Sequence, residues 1–207
     1  SKTVTYALSE TVTPAKVFAG TSSSFLIKSN GTLWAWGSNN AGQLGIGNKI
    51  NQSIAVQVGT ASDWKMVASS SLFTIAIKND GSLWGWGING STGYLGLGDG
   101  TIAESIVPIR IGVASDWESN SVGFNHIIAL KTNGTIWSWG YNFNGQLGNG
   151  NTNTVLSPTQ IGTDTDWASI STGGLSSYAI KENGSLYAWG QNSSKQLGDG
   201  TTVSKNI

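Results

Sequence analysis

The chain has 207 residues, and its eleven basic and eleven acidic side chains give a formal net charge of zero. A neutral chain lacks the basic surface needed to bind nucleic acid or an anionic membrane, and neither partner is expected. It has no cysteine, which excludes disulfides and thiolate metal sites. No apolar run is long enough for a membrane helix, so no membrane insertion is expected. The 29 glycines and the low charged fraction of 11% favour short strands joined by tight turns.

The N-terminal segment contains the first predicted strand. Ser1–Tyr6 lacks the apolar core of a signal peptide. Tyr6-Ala7-Leu8 lines up with later strand-like sequences, Ile109-Arg110-Ile111 and Thr159-Gln160-Ile161, and the chain ends just before that strand would recur again. The N-terminal strand is therefore expected to complete the last repeat as a clasp, which removes a free sheet edge.

A predicted β-hairpin then recurs four times, with its aromatic strands 50 to 53 residues apart. Each copy has a short apolar stretch, a shared Lys, an Asn-Gly or Asp-Gly turn and an aromatic strand. Asn-Gly or Asp-Gly between two apolar runs is the strongest short-range hairpin signal. The turns are Asn30-Gly31, Asp80-Gly81, Asn133-Gly134 and Asn183-Gly184, and the aromatic strands are Leu33–Gly37, Leu83–Gly87, Ile136–Gly140 and Leu186–Gly190.

Two weaker strands are predicted around each hairpin. One surrounds an Asp-Trp pair, at Asp63-Trp64, Asp116-Trp117 and Asp166-Trp167, and the other lies at the preceding Val56-Gln57-Val58 and its counterparts Ile109-Arg110-Ile111 and Thr159-Gln160-Ile161. About four short antiparallel strands per repeat is the content of one propeller blade. The expected organisation is a single all-β domain over residues 1–207, with propeller-like repeats at 1–50, 51–103, 104–153 and 154–207. The recurring aspartates are expected to cap turns or accept backbone N–H bonds.

A loop pattern follows each aromatic strand. An Asn stands two residues after the strand's last Gly, and a Leu-Gly pair closes the pattern, at Leu44-Gly45, Leu95-Gly96, Leu147-Gly148 and Leu197-Gly198. The recurring tryptophans of the strands are Trp36, Trp86, Trp139 and Trp189. Regular repetition favours packing between blades, although exposed Trp would also offer a stacking platform for sugars or peptides. The aromatic residue two positions earlier is expected on the same face.

The third repeat reads Gly123-Phe124-Asn125-His126-Ile127-Ile128-Ala129-Leu130, then Asn133-Gly134, Ile136–Gly140, Asn142 and Gly145-Gln146-Leu147-Gly148. This pattern resembles the regulator-of-chromosome-condensation repeat family over nearly the whole chain, and the Asp-Trp pairs look like its bacterial and viral branch. The resemblance implies a β-propeller whose repeats each span a blade. Family propellers usually have seven blades, so four repeats imply a closed ring of four, a combination of two chains, or an arc.

The resemblance also implies functions whose residues this chain lacks. Nucleotide exchange on a small GTPase uses acidic and His contacts, and only His126 matches the family's repeat His; its counterparts are Ser23, Phe73 and Ser176. The Gly-Trp-Arg-His-Thr run of the plant ultraviolet-B photoreceptor is missing. A hydrogen-bonded structural role is expected for His126, since no second His or Cys is available to share a site. No catalytic residue, cofactor site or metal site is expected, and the chain is not expected to be an enzyme.

Departures from the repeat are the predicted partner-binding loops, because they are free of the demands of the fold. They are Tyr94 in an insertion, Glu104 in a longer connector, and Tyr141 and Phe143 after the third aromatic strand. The predicted function is a non-enzymatic protein-interaction or structural module that binds a protein partner or self-associates. An exposed part of a virion or bacterial surface is favoured over the cytoplasm. The alternatives are a carbohydrate-binding attachment module and, less favoured, a guanine-nucleotide exchange factor.

Overall fold

The computed structural model describes residues 15–90 and 96–207, which form fifteen β-strands in four antiparallel sheets. The strands are β1 (Lys16–Ala19), β2 (Ser23–Ile27), β3 (Leu33–Gly37), β4 (Gln52–Gln57), β5 (Trp64–Ser69), β6 (Phe73–Lys78), β7 (Leu83–Gly87), β8 (Ser105–Arg110), β9 (Trp117–Val122), β10 (His126–Lys131), β11 (Ile136–Gly140), β12 (Val155–Gln160), β13 (Trp167–Thr172), β14 (Ser176–Lys181) and β15 (Leu186–Gly190). In these two ranges no helix has the length and hydropathy to cross a membrane. The predicted all-β class is confirmed.

Each sheet is a meander of consecutive strands. The first three sheets are β1–β4, β5–β8 and β9–β12, and the fourth is β13–β15 with one added bridge between Gly190 and Lys205. The predicted hairpins are confirmed: β2 pairs with β3 from Ser23↔Gly37 to Ile27↔Leu33. At the turn, the Gly31 N–H donates to the Lys28 carbonyl at 2.8 Å. Gly31 has φ +78°, a conformation that residues with a Cβ rarely adopt.

The boundaries of the sheets do not coincide with the boundaries of the sequence repeats. β4 begins at Gln52, inside the second repeat, but pairs with β3 of the first sheet, and β8 and β12 behave in the same way. The resemblance implied one repeat per blade, and the structure shifts the blade by one strand. The cause is the path of the chain: the loop at 38–51 returns the fourth strand to the open edge of the third, and the connector at 58–63 then crosses to the next sheet.

The four sheets stack face to face in an open arc. Each sheet contacts the next, and the first strands β1, β5, β9 and β13 are neighbours in that order along the inner side. Within the described residues β13 makes no comparable contact with β1. The described sheets therefore form an arc of four blades, and the predicted clasp at Tyr6-Ala7-Leu8 lies outside the described residues.

Apolar side chains fill the space between sheets. We call the surface of a sheet that looks toward the next sheet its rear face, and the opposite surface its front face. At the first interface, Phe25 and Leu33 on the rear face of the first sheet pack with Trp64 and Trp86 on the front face of the second. The same arrangement recurs at the second and third interfaces. Complete burial stabilises each large side chain by about 1.5–3 kcal/mol, so these three interfaces hold the arc together.

At each interface a tryptophan side chain of one sheet donates a hydrogen bond to the loop of the preceding sheet. The indole N–H groups donate to backbone carbonyls in the preceding sheet's loop: Trp86 to Gln43 at 2.8 Å, Trp139 to Gly96 at 3.2 Å and Trp189 to Gln146 at 2.9 Å. The predicted packing role is confirmed for these three residues. Trp36, on the front face of the first sheet, is only partly buried.

The second Leu-Gly pair was predicted wrongly. The structure places Leu97-Gly98, rather than Leu95-Gly96, at the position of Leu44-Gly45: Leu97 N–H donates to the Asn89 side chain at 3.1 Å, as Leu44 does to Asn39 at 2.9 Å. Gly98 lies against the Trp139 indole, where a Cβ would come within 2.4 Å of Nε1. The sequence offers two consecutive Leu-Gly pairs, and only contact with the next blade's Trp distinguishes them.

Candidate functional site

The meander topology gives the arc two different sides. The loops at 38–51, 141–154 and 191–204, and the turns between the first and second strands, emerge on one side, which we call the loop side. The Asn-Gly turns and the connectors between sheets emerge on the other, which we call the turn side. Binding residues concentrate on loops carried by a rigid scaffold, so both sides were candidates.

The turn side carries a cluster that recurs in three sheets. In the second sheet Lys78 lies 3.0 Å from Asp63, and its Nζ is 4.5 Å from the ring centroid of Trp84 and 5.0 Å from that of Trp64. Equivalent clusters surround Lys131 and Lys181. The predicted capping role of the aspartates was wrong, because the pairing of Trp64 with Lys78 across two strands brings the ammonium group to the carboxylate.

These clusters serve the fold. Hydrogen bonds to Asp164 and then to Asp166 raise the pKa of Lys181 well above its ordinary value, so the cation is retained. A cavity of about 430 Å³ lies between the third and fourth sheets, and its lining includes Lys131 and Glu118. Both are already paired, Lys131 with Asp116 at 3.0 Å and Glu118 with Lys65 at 2.8 Å. Repetition and existing pairing make the turn side the weaker candidate.

The loop side of the third sheet carries three aromatic side chains that we call the aromatic patch: Phe124, Tyr141 and Phe143. The Tyr141 and Phe143 rings have centroids 5.0 Å apart and an interplanar angle of 33°. Phe124 is 54% exposed and Phe143 is 71% exposed. The Tyr141 N–H donates to the carbonyl of Asn125 at 2.8 Å, which joins the loop of Tyr141 to the turn that carries Phe124.

Buried Asn142 fixes the loop that carries the patch. Its amide donates to Asn149 Oδ1 at 3.1 Å and to the carbonyls of Asn151 and Asn153 at 3.0 and 3.1 Å. Its Oδ1 accepts the Leu147 N–H at 2.9 Å. Asn142 points inward and is fully buried, so the residues on either side of it, Tyr141 and Phe143, are presented at the surface. The patch therefore stands on a well-anchored loop.

The turn that carries Phe124 is hydrogen-bonded to the fourth sheet. The Phe124 N–H donates to the Gly174 carbonyl at 2.9 Å. A Cβ on Gly174 would lie 2.7 Å from Phe124 Cε2, so the absence of a side chain there gives the ring its place.

The patch belongs to one sheet alone. At the same repeat positions the other sheets have small, polar or aliphatic residues. Phe124 corresponds to Thr21, Ser71 and Gly174, Tyr141 to Ser38, Ile88 and Gln191, and Phe143 to Asn40, Gly90 and Ser193. Sequence analysis singled out Tyr141 and Phe143 but missed Phe124, although the same departure from the repeat would have identified it.

The other two predicted loop residues lie elsewhere. Glu104 lies just before β8 and forms an ion pair with Lys49 at 2.7 Å, which joins the loop of the first sheet to the second. Both side chains are exposed, and such a pair contributes only about 0–1 kcal/mol. Tyr94 lies outside the described residues. The structure therefore brings the rings of Tyr141 and Phe143 together, places Phe124 on the turn bonded to their loop, and leaves Glu104 on another loop.

His126 lies beneath the patch at the third interface and is fully buried. Ser177 Oγ donates to the Gln146 carbonyl at 2.7 Å, so His126 Nε2–H donates to Ser177 Oγ at 2.9 Å. This network assigns the neutral tautomer with the proton on Nε2. Burial lowers the pKa of His126 from 6.5 to about 3. A hydrogen-bonded structural histidine, as predicted, is what the structure contains.

His126 gives the first prediction, a pH-dependent stability. Between pH 6.5 and about 3 the unfolded chain binds a proton that the folded chain does not, so the free energy of unfolding falls as the pH falls. Each pH unit below 6.5 costs about 1.4 kcal/mol, so acidification to about pH 4.5 should cost about 2–3 kcal/mol. Urea denaturation at several pH values measures this loss.

The matched variant is His126→Phe, because Phe73 occupies the same position in the second sheet. As His126 is the chain's single histidine, this variant should lose most of the pH dependence between about pH 6.5 and 4.5. Parallel curves for the two proteins would contradict the assignment.

The chemistry available at the patch is stacking and apolar contact. In residues 15–90 and 96–207, no three His, Asp or Glu side chains lie together so as to hold a metal ion. Aromatic rings with exposed faces bury large apolar areas against a partner, and such residues dominate the binding energy of interfaces.

Comparisons with known proteins agree with the fold. Two models described as the regulator of chromosome condensation (RCC1) repeat match the chain, one at residues 30–77 and 133–180, the other at residues 15–43 and 167–196. Together the matches cover more than half of the chain. The ultraviolet-B receptor UVR8 of Arabidopsis thaliana is 31% identical over 136 residues, which are 64% of this chain and 30% of that protein.

Solved structures of similar fold are about twice as long. Human WBSCR16 aligns with a TM-score of 0.83 and 21% identity, over 97% of this chain and 53% of that chain. Prp20p from Saccharomyces cerevisiae, studied for its binding to Gsp1p and histones, aligns with a TM-score of 0.78 and 22% identity, over 91% of this chain and 48% of that chain. The chain thus spans about half of these propellers.

Proposed function

The chain belongs to the regulator of chromosome condensation (RCC1) repeat family, and from that membership we propose that it is a non-enzymatic module that binds a protein partner. The proposed binding surface is the aromatic patch of Phe124, Tyr141 and Phe143. One observation carries the proposal: three aromatic residues on the loop side of one sheet stand where the other repeats have smaller or polar residues. The Tyr141 and Phe143 rings form a pair, Phe124 lies on the turn bonded to their loop, and Phe124 and Phe143 are more than half exposed.

Two further considerations support a protein partner. Prp20p, a protein of the same fold, binds proteins, namely Gsp1p and histones. Aromatic residues are also enriched among the residues that dominate protein interfaces, where each costs about 2 kcal/mol or more when truncated. The chain covers 48% of Prp20p, so neither of those partners is assigned to it.

The test exchanges the patch for the residues that the first sheet already has at the same positions. The triple variant Phe124→Thr, Tyr141→Ser, Phe143→Asn should fold, because the first sheet carries Thr21, Ser38 and Asn40 there. Partners cross-linked in extract of the source organism are identified by mass spectrometry, then purified and titrated by calorimetry. The variant should bind at least about 30-fold more weakly, corresponding to a loss of about 2 kcal/mol.

A matched control removes an exposed apolar side chain elsewhere. Val113 is 94% exposed on the connector after β8, and Val113→Ser should leave the affinity unchanged. If the triple variant binds every purified partner as well as the original chain does, the patch is not the binding surface.

A carbohydrate is the second candidate ligand, because the tilted pair of Tyr141 and Phe143 is also a surface on which a sugar ring stacks. The repeat tryptophans give this alternative no support, since Trp86, Trp139 and Trp189 are buried between sheets. Calorimetry with a panel of oligosaccharides tests it. Saturable binding that the triple variant loses would favour a glycan-binding attachment module over a protein-binding one.

The cellular context remains a proposal from composition and pattern. The low charge and the Ser-, Thr- and Asn-rich surface support an exposed part of a virion or bacterial surface, and the Asp-Trp pairs support a bacterial or viral branch. The relatives named above come from a plant, human and yeast. Nucleotide exchange on a small GTPase is the weakest alternative, and a nucleotide-release assay tests it directly.

A further inference from the structure

The fourth strand of each of the first three sheets forms the outer edge of the arc. In these sheets the order runs from the inner strand, β1, β5 or β9, to the outer strand, β4, β8 or β12. Among the described residues no further strand pairs with an outer strand. Neighbouring sheets pack on the faces of a sheet, so its outer edge is exposed whichever blades lie on either side. Such an edge presents unpaired backbone N–H and C=O groups and can pair with a strand of another chain.

On β4 the backbone groups of Ala55 face outward. The Val58 N–H donates to the Leu33 carbonyl of β3 at 2.8 Å. Val56 pairs with Ala35, two residues further along β3, so the backbone groups of Val56 are also directed at β3. The direction of these groups alternates along a strand. The N–H and C=O groups of Ala55 are therefore directed away from the sheet, where another chain can reach them.

The other two outer strands have proline where β4 has Ala55. Pro108 of β8 and Pro158 of β12 each lie three residues after the residue that pairs with the last Gly of the aromatic strand, as Ala55 does on β4. Proline has no N–H to donate, so it prevents an added strand from pairing at an outward-facing position. All three strands have a bulge at this point, so the bulge does not distinguish them. Of these three outer edges, that of β4 lacks the protecting proline.

The composition of β4 also favours pairing with another strand. Its six residues, Gln52–Gln57, include no charged residue, proline or glycine, and the nearest charged residues in the sequence are Lys49 and Asp63. Ile54 is 72% exposed, and Ile50, just before the strand, is 67% exposed. Short uncharged segments of high β-propensity without proline are those that pair with copies of themselves when they are exposed.

We propose that two copies of this chain pair edge to edge through β4, antiparallel, about a two-fold axis at Ala55. In this register the Ala55 N–H of each copy donates to the Ala55 carbonyl of the other, and Ser53 of each copy lies opposite Gln57 of the other. On the other face of the strand Ile54 of each copy lies beside Val56 of the other, and such apolar cross-strand pairs stabilise a sheet. The two first sheets then form one sheet of eight strands, four from each copy.

The sequence of β4 supports a second copy as the occupant. With the axis at Ala55, polar residues oppose polar residues and apolar residues oppose apolar residues. The strand has no charge, so two copies do not repel each other, and no charge on the strand favours a partner of opposite sign. A strand that pairs with its own copy makes each contact twice and leaves no outer edge of β4 free, so the assembly stops at two chains. The aromatic patch lies on the third sheet, so the inference is independent of the partner proposed above.

The first test is the solution mass of the 207-residue chain, measured by light scattering from about 1 µM to about 1 mM. One pair of short strands buries less than a standard interface of about 1,600 Å², so we expect a weak dimer with a dissociation constant of about 10–100 µM. The mass should rise from the 21.6 kDa of one chain to twice that value and then stop. A mass of 21.6 kDa throughout would overturn the proposal. Growth past twice that mass would also overturn it, because a self-paired edge closes at two chains.

The variant Ala55→Pro locates the interface, because it gives β4 the residue that β8 and β12 have at the same position. It should fold as those strands do, which circular dichroism checks. The two hydrogen bonds at the axis are lost, so the dissociation constant should rise at least about 30-fold. Val107→Ser is the control, since Val107 is half-exposed on β8 and Ser157 has the same position on β12, and it should leave the dimer unchanged. A folded Ala55→Pro chain that dimerises as well as the original would refute this edge.

A single cysteine tests the register. The chain has no cysteine, so Ala55→Cys introduces one thiol. In the proposed register the Cα atoms of the two copies of residue 55 lie about 5.5 Å apart, which a disulfide can span, so oxidation by copper phenanthroline should link the dimer. Ser53→Cys is the matched control, because the two copies of residue 53 lie about 14 Å apart in the same register and should not be linked. Equal cross-linking of both variants, or of neither, would overturn the pairing at Ala55.

Discussion

Replacing Trp86 with alanine is expected to lower the free energy of unfolding by about 3–5 kcal/mol, the usual cost of truncating a buried Trp. The side chain is fully buried between the first two sheets, and its indole N–H donates to the Gln43 carbonyl at 2.8 Å. Gly45 lies against the indole, where a Cβ would come within 2.7 Å of Nε1, so the loop follows the ring closely. The resulting cavity lies between the first two sheets and weakens the interface through which each blade stabilises its neighbour.

Urea denaturation followed by circular dichroism measures the loss. Trp86→Phe is the matched control, since it keeps an aromatic ring in the interface but removes the N–H donor. Thr74 also donates to the Gln43 carbonyl, at 2.8 Å, so that acceptor stays satisfied and the control should lose only about 1–2 kcal/mol. A loss below about 1 kcal/mol for Trp86→Ala would show that the interface does not depend on this side chain.

Replacing Asn142 with alanine is expected to lower the free energy of unfolding by about 2–4 kcal/mol, because its buried amide makes hydrogen bonds to both the earlier and the later part of its loop. The change leaves the buried Leu147 N–H without its acceptor and releases the carbonyls of Asn151 and Asn153. An unsatisfied buried polar group costs about 1–3 kcal/mol. Because Tyr141 and Phe143 flank Asn142, binding at the aromatic patch should weaken as well.

Neighbouring Asn144 provides the control for that variant. Its side chain makes no hydrogen bond within the described residues, so Asn144→Ala should change the free energy of unfolding by less than about 0.5 kcal/mol. Equal losses from the two alanine variants, measured by urea denaturation, would contradict the anchoring role of Asn142.

Local patterns predicted the hairpins well because their cause is local. An Asn-Gly turn needs positive φ at one residue, and the Asn-Gly dipeptide alone is enough to predict it. The packing role of the repeat tryptophans was also predictable, since one residue type at one position in successive repeats reports an environment that recurs. Both inferences depend on repetition along the chain, which a single sequence displays.

The failures have a different cause, because they depend on contacts between segments distant in sequence. Asp63 contacts Lys78 because two strands pair. The Leu97-Gly98 pair differs from Leu95-Gly96 by its contact with the indole of Trp139, which lies about forty residues later in the chain. The turn that carries Phe124 meets the loop of Tyr141 through the hydrogen bond from the Tyr141 N–H to the Asn125 carbonyl. Sequence reasoning identified two members of the patch as irregular but gave no measure of their proximity to a third.

The one-strand shift between sequence repeat and sheet has a consequence for how such a chain can lengthen. Because β4, β8 and β12 each complete the sheet begun in the preceding repeat, the unit of duplication and the unit of hydrogen bonding are out of phase. Insertion of one whole repeat, cut at any phase, still supplies every sheet with its missing strand and adds one complete blade. A partial deletion that removes β4 together with β5, which lie in the same repeat, instead damages two sheets at once. The offset thus allows the chain to gain complete blades by insertion of whole repeats, whereas a change that removes strands on both sides of a sheet boundary leaves two sheets incomplete.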